Sequence, residues 1–341
     1  MPSPSARRRP RTVLAMEPRV RDALFDAAAV DRLIAVANTD PFAVVQDFSA
    51  AEHMAALAGA EVLLTGWGCP PLTESVLDRM PRLRTVVHAA GSVKHHVTDA
   101  CWARGLTVAS AAEANALPVA EYTVAAILFT GKRVLDSQRA YRQRRDRVDM
   151  LNLLAGAGNF GRTVGVVGAS RIGRRVIALL RPYDLRVLLY DPYLSAEEAS
   201  RLGVRLVDLD ELARACDVVS LHAPELPETR HLFDGARLSL LRDGATLINT
   251  ARGSLVDTEA LTAELVAGRL NAVLDVTEPE VLPGDSPLYD LPNVLLTPHV
   301  AGSLGNELGR LVHAALDELE RYAAGLPFAG PVRPEDLHRS A

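Results

Sequence analysis

Cysteine, lysine and long apolar runs are what this chain has least of. Its three cysteines, Cys69, Cys101 and Cys216, are odd in number, far apart and without a CxxC pair. That argues against a disulfide framework and a thiolate zinc site, so no metal is expected and the chain reads as cytoplasmic. Lysine occurs only at Lys94 and Lys132 among 37 basic residues, a bias toward arginine that by itself indicates no chemistry. No stretch approaches the roughly 18 uncharged apolar residues that a membrane span needs. A net charge of −5 speaks against a general nucleic-acid binder. The one basic cluster, Arg7, Arg8, Arg9 and Arg11, is short and flanked by prolines. The apolar run behind it, Thr12 to Met16, stops at Glu17-Pro18 and is too short for a signal peptide. Residues 1–11 are therefore expected to form a disordered basic tail.

What is present is ordinary globular material, 48% hydrophobic and 23% charged over 341 residues, enough for two domains. The organising stretch is Thr163 to Pro192. Thr163 to Val167 is a short β-branched run, and Gly168-Ala169-Ser170-Arg171-Ile172-Gly173 is a turn. Val176, Ile177, Leu179 and Leu180 continue it as a helix, Arg186 to Tyr190 is a second strand, and Asp191 follows. That order is the context a dinucleotide fingerprint requires. Gly168 is expected to permit the tight turn and Gly173 the close packing of helix on strand. The amides around Ser170, Arg171 and Ile172, at the helix start, would hold a pyrophosphate with help from the helix dipole. Ser170 stands where the pattern has its middle glycine. Either the backbone lies slightly further from the phosphates, or the hydroxyl replaces a bridging water.

From this unit onward strands recur at βα spacing: Thr163 to Val167, Arg186 to Tyr190, Asp217 to Leu221, Ala245 to Asn249, Leu270 to Leu274 and Asn293 to Thr297. A doubly wound parallel sheet collects the ends of such strands on one edge, and just past them stand Asp191, His222, Arg252, Asp275, Glu280 and His299. Residues 12–125 read as a smaller α/β domain with strands Thr12 to Met16, Phe42 to Phe48, Ala60 to Thr65 and Leu83 to Ala89. Its loops Gly66-Trp67-Gly68 and Gly91-Ser92-Val93-Lys94 follow strands, which makes them either substrate loops or plain tight turns. Asn115 to Thr130 is a helix leaving that domain, and Lys132 to Met150 is a solvated helix or a subunit-contact arm. Gly302 to Ala324 carries apolar residues at helical spacing and returns the chain, with Pro327 to Ala341 on the surface. The nucleotide domain, 126–299, is thus inserted between 12–125 and 300–341.

Thr250-Ala251-Arg252-Gly253 with Val256-Asp257, then Leu274-Asp275-Val276 with Glu280 five residues past the acid, then Thr297-Pro298-His299, resemble the signatures of the D-isomer-specific 2-hydroxyacid dehydrogenases. That family includes phosphoglycerate dehydrogenases and glyoxylate or hydroxypyruvate reductases, and the resemblance covers nearly the whole chain. It implies two Rossmann-like domains, the NAD-binding one inserted into a smaller flavodoxin-like substrate domain. It also implies hydride transfer between NAD and a small D-2-hydroxy or 2-keto acid. Arg252 would hold the substrate carboxylate with its planar fork. His299 would be the acid in reduction and the base in oxidation, with Glu280 orienting its ring and stabilising the charged form. Asp275 would accept from the nicotinamide carboxamide, Pro224, Thr250 and Ala251 would line the cofactor, and Asp191 would take the adenosine ribose hydroxyls. Gly91 and Ser92 would lend amides to the carboxylate site.

Three departures from the family pattern bear on the substrate rather than the reaction. They are Ser170 in the glycine motif, Lys94 and His95 where glycine and aspartate are usual, and Val281 after Glu280 where proline is usual. No regulatory domain is expected after residue 325, and a homodimer formed through the nucleotide domain is expected. The alternative to an enzyme is a non-enzymatic NAD-binding module of the same fold, such as a corepressor.

Overall fold

The computed structural model of the chain describes residues 8–337. They form two compact units, one made of the residues up to Ala116 together with those from Ser303 on, the other running from Leu117 to Gly302. Each is built on its own mostly parallel sheet, whose strands are short β-branched or leucine-rich runs buried on both faces.

In the first unit β1 (Thr12–Ala15), β2 (Val62–Thr65), β3 (Thr85–His88) and β4 (Thr107–Ser110) are parallel and lie in that order. Alternation sends Leu14, Val62, Leu64 and Val87 to one face, against helices Ala27–Val36 and Leu308–Ala323, and Leu63, Val86 and Val108 to the other. Leu311, Leu316 and Leu319 of the returning helix are at 0% exposure. Burying each stabilises by about 1.5–3 kcal/mol, which anchors the C-terminal segment to this unit.

Phe42 to Phe48, expected as a strand, retains only a single bridge, Leu14 to Val44. The Asp40 and Asp47 carboxylates accept from the amides of Phe42 (2.9 Å) and Ser49 (2.7 Å), so turns compete with the ladder at both ends. The strand β4 was not expected. The returning helix begins at Leu308 rather than near Gly302, because Gly305 sits at φ +54 and a short 3-10 turn, Gly305–Glu307, precedes it. The C-terminal stretch does more than lie on the surface, since Pro331–Val332 pairs antiparallel with β4 as a short edge strand. Residues 338–341 lie outside the described residues.

The expectation of a loose tail over residues 1–11 also needs correction. Residues 1–7, with Arg7, lie outside the described residues, but from Arg8 on the chain is tied down. Arg8 pairs with Glu61, and the Arg9 guanidinium donates to the Ala37 carbonyl (2.7 Å) and to that of Ile34, satisfying groups at the end of helix Ala27–Val36.

The second unit carries seven parallel strands: β5 (Thr163–Val167), β6 (Arg186–Tyr190), β7 (Arg205–Leu206), β8 (Val218–Leu221), β9 (Thr246–Asn249), β10 (Asn271–Leu274) and β11 (Val294–Leu296). Their order is β11-β10-β9-β8-β5-β6-β7. Six match the expected runs to within two residues at either end, and the two-residue edge strand β7 was too short to stand out. The order reverses between β5 and β8, the switch point where such sheets bind ligands.

The unit boundaries fall at 116/117 and 302/303, not at 125/126 and 299/300. Ala120 and Val124, on the helix Ala112–Gly131, pack with Val164, Val166 and Ile248 of the second unit's sheet. Val300 and Ala301 donate to Asp275 of that unit. The polar helix expected after Lys132 is Val134–Arg144, with no buried residue. Among the described residues no helix is long and apolar enough to cross a membrane.

Candidate active site

At the switch point the turn after β5 runs against the loop after β8. A Cβ on Gly168, whose φ is +99, would lie 2.8 Å from the Ala223 amide nitrogen, and one on Gly173 would lie 2.0 Å from the Gly168 carbonyl oxygen. Both positions therefore require glycine. Ser170 has a structural role that the motif pattern alone does not suggest. It is the N-cap of helix Arg171–Leu180, and its Oγ accepts from the Gly173 amide at 3.2 Å. The helix thus opens on a capped, narrow turn with the amides of Arg171 and Ile172 in its first turn, a cradle suited to a pyrophosphate. At the end of β6 the Asp191 carboxylate accepts from Ala169 N (2.7 Å) and Tyr193 N (2.8 Å), which holds it beside the same turn. After β8 come His222, fully buried, and Pro224, whose carbonyl accepts from the Thr229 hydroxyl (2.6 Å). Burial without a charged partner pushes the His222 imidazole down to about 3, so it is neutral in the folded chain.

The loop after β9 is shaped by a residue that was not singled out from sequence. Asn249 donates to the Arg252 carbonyl (2.8 Å) and accepts from the Ala251 amide (3.1 Å), a side-chain-closed turn across Thr250, Ala251 and Arg252. The Thr250 hydroxyl meets that of Thr123 at 3.1 Å. Arg252 lies half-buried, and one of its terminal nitrogens donates to the Ala251 carbonyl (2.6 Å).

Asp275, 2% exposed at the end of β10, organises the loop after β11. Its Oδ1 accepts from the Thr297 hydroxyl (2.6 Å) and Val300 N (2.7 Å), and its Oδ2 from Ala301 N (2.8 Å). Its carbonyl accepts from His299 N at 2.8 Å. These bonds over-determine a turn in which His299 sits at φ +56, a left-handed conformation that a non-glycine residue keeps only when its surroundings hold it. The ring so placed puts Nδ1 at 2.7 Å from Glu280 Oε1, with the two side chains 48% and 62% exposed. Glu278, the other acid of that loop, is occupied elsewhere, pairing with Arg230 at 2.8 Å, which holds its carboxyl below the usual range. Thr297, which the sequence shows only as part of a signature, has a role of its own: it links Asp275 to the Tyr122 hydroxyl (2.9 Å).

Residues 124–301 match the family model described as D-isomer specific 2-hydroxyacid dehydrogenase, NAD binding domain. The chain belongs to this family. It is 35% identical over 288 residues to the D-3-phosphoglycerate dehydrogenase of Mycobacterium tuberculosis (strain ATCC 25618 / H37Rv), a match covering 84% of this chain and 52% of the relative. A glyoxylate reductase of Korarchaeum cryptofilum is 31% identical over 257 residues, 75% of this chain and 77% of the other. The crystal structure of the TT0316 protein from Thermus thermophilus aligns with a TM-score of 0.76 at 31% identity, over 94% of this chain and 100% of that one. The chain spans about half the length of the curated phosphoglycerate dehydrogenases it matches.

NAD is the cofactor that goes with this dehydrogenase domain, and the glycine turn, the capped helix start and Asp191 form a cradle that fits it. Gly168, Ser170, Arg171, Ile172, Gly173, Asp191, Pro224, Thr250, Ala251, Arg252, Asp275, Glu280 and His299 all stand at or just past the carboxyl ends of this unit's strands. Gly91 and Ser92 belong to the other unit, in the loop after β3, where a Cβ on Gly91 would lie 3.3 Å from Asn115 Nδ2.

Proposed function

We propose that this chain is an NAD-dependent oxidoreductase that transfers a hydride between the nicotinamide and a small D-2-hydroxy or 2-keto acid. The observation that carries the reading is the His299 Nδ1 to Glu280 Oε1 contact of 2.7 Å, on the strand edge that also presents Arg252. Bound NAD supplies or receives the hydride. With Nδ1 committed to the carboxylate, Nε2 is the nitrogen left to exchange a proton with the substrate oxygen. It gives one to the ketone on reduction and takes one from the hydroxyl on oxidation. Glu280 fixes the ring's orientation by accepting from Nδ1.

Arg252 spends one donor on the Ala251 carbonyl, which orients the guanidinium and leaves further N–H groups for the substrate carboxylate. Asp275 has four lone-pair positions and three donors of its own chain, so one acceptor position on Oδ2 remains for the nicotinamide carboxamide. The ribose hydroxyls go to Asp191, and the cofactor wall is formed by Pro224, Thr250 and Ala251. The amides of Gly91 and Ser92 are assigned to the substrate carboxylate.

A homodimer is part of the same reading. The segment that holds the polar helix Val134–Arg144 exposes Phe129 (63%), Leu151 (89%) and Phe160 (89%), an apolar surface that a second copy would cover. The three buried, unpaired thiols support a cytoplasmic location.

NADH oxidation against glyoxylate, hydroxypyruvate, phosphohydroxypyruvate and bulkier 2-keto acids tests the activity. Turnover of at least one is expected. NADH binding without turnover of any would favour the non-enzymatic module instead.

A further inference from the structure

The carboxyl edge of the smaller unit holds a buried polar cluster for which the reaction has no use. β2 and β3 are paired in parallel with Thr65 opposite His88, so the two residues stand abreast at the ends of their strands. His96 folds back from the following loop until its ring centroid lies 4.5 Å from that of His88. The Thr65 hydroxyl joins them, 2.8 Å from His88 Nδ1 and 3.2 Å from His96 Nε2. Thr65 is at 0% exposure and each histidine at 3%. His96 lies in the loop that follows Gly91 and Ser92, so the cluster ties that loop to the ends of β2 and β3.

We propose that His96, Thr65 and His88 form a positioning chain that holds the Gly91–Ser92 loop in the one conformation that can present its amides to a substrate carboxylate. This rests on the assignment of that loop to the substrate. A hydroxyl has one hydrogen and two lone pairs, so Thr65 donates to at most one ring, or to the Val87 carbonyl at 3.5 Å, and accepts from the ring nitrogens that carry hydrogen, which fixes both rings. Backbone bonds hold the loop as well: Ala89 N to Thr65 O (2.8 Å) at its start, Ala111 N to Ala90 O (3.0 Å) beside Gly91, and Val97 N to Val93 O (2.9 Å) and Leu72 N to His96 O (2.8 Å) at its end. Buried networks of this kind add little net stability over an apolar core. What they add is a unique arrangement, because every alternative leaves a polar group unpaired. Both imidazoles are neutral in the folded chain. Burial is the main cause, with the neighbouring histidines adding to it: His88 is held well below the usual 6.5, and His96 is pushed down to about 4.

Thr65→Val removes the hydroxyl and keeps the shape, while Thr65→Ser keeps the hydroxyl. Hydrogen exchange and kinetics with hydroxypyruvate and NADH, on the full chain, separate the possibilities. In Thr65→Val the amides of residues 89–97 should exchange about tenfold faster while those of β1 do not change. KM for the keto acid should rise about tenfold, with kcat changed less than about twofold and NADH affinity unchanged. Thr65→Ser should restore both. Unchanged exchange in the loop would overturn the positioning role whatever the kinetics. Faster exchange with an unchanged KM would show that the loop does not serve the substrate, and would overturn the inference through the reading it rests on. Exchange is measured without substrate, so the two failures are distinct.

Discussion

Two of the close pairs built on histidine are opposites. His299 and Glu280 are 48% and 62% exposed, joined at 2.7 Å, and lie on loops past the strands of the larger unit. His88 and His96 are both 3% exposed, joined through a neutral hydroxyl, and held at the strand edge of the smaller one. An exposed imidazole on a carboxylate can take and give a proton at little cost. A buried one joined to its neighbour through a hydroxyl is held neutral, because charging it would strand an ion away from water. On the functions proposed above, the same residue type serves proton transfer in one place and fixed geometry in the other, and the environment makes the difference.

The comparison is broken most severely at the exposed pair. His299→Ala should lower kcat in both directions by about 10³-fold with NADH binding kept, since a positioned acid or base contributes about 10²–10⁴. Glu280→Gln, which keeps the shape and removes the charge, should cost about tenfold. Steady-state kinetics beside fluorescence titration of NADH check both, and near-parental rates in His299→Ala would remove this histidine from the chemistry. Next in size is Arg252→Lys. It keeps the charge and loses the fork, so kcat/KM for keto acids should fall about 10²-fold with NADH affinity unchanged. A Lys variant that reduces keto acids as well as the parent would refute the carboxylate role.

Cofactor choice should show a smaller effect. Asp191 is held at the end of β6 by two amides, at 2.7 and 2.8 Å, so its carboxylate cannot easily turn away from a 2′-phosphate. NADPH should be at least about tenfold less efficient than NADH, and Asp191→Ala should narrow the gap. Equal use of the two by the parent would count against the assignment.

The buried pair sharpens the comparison through stability rather than rate. His96, pushed down to about 4, and His88, held well below 6.5, stay neutral in the folded chain, while the unfolded chain takes up protons below pH 6.5. Their contribution to stability is whole above that pH and falls as pH drops, by up to about 1.4 kcal/mol per pH unit for each. For His96 the loss ends near pH 4. Urea midpoints measured between about pH 7 and about pH 5 should decline, and less steeply in His96→Asn. A flat profile in the parent would mean that the two rings are not buried neutral.

Much of this protein was determined locally, and the sequence alone carried it. Gly168 to Gly173 between two β-branched runs, and Arg252, Asp275, Glu280 and His299 each just past an apolar strand, follow from period and punctuation. A parallel sheet has no other way to arrange them than along one edge. What only the tertiary structure decided depends on partners distant in sequence. Phe42 to Phe48 looks like a strand until Asp40 and Asp47 turn its ends. Ser170 looks like a defect in a motif until its hydroxyl is seen to cap a helix. Nothing in the spacing of Asn249, Thr297 or Asp275 reveals that they close the turns on which Arg252 and His299 stand. His88 and His96, eight positions apart, become one object only when β2 lays Thr65 between them. Hydrogen bonds between side chains fall off within a few tenths of an ångström and depend on angle, so periodicity, which records only which face a residue takes, is silent about them.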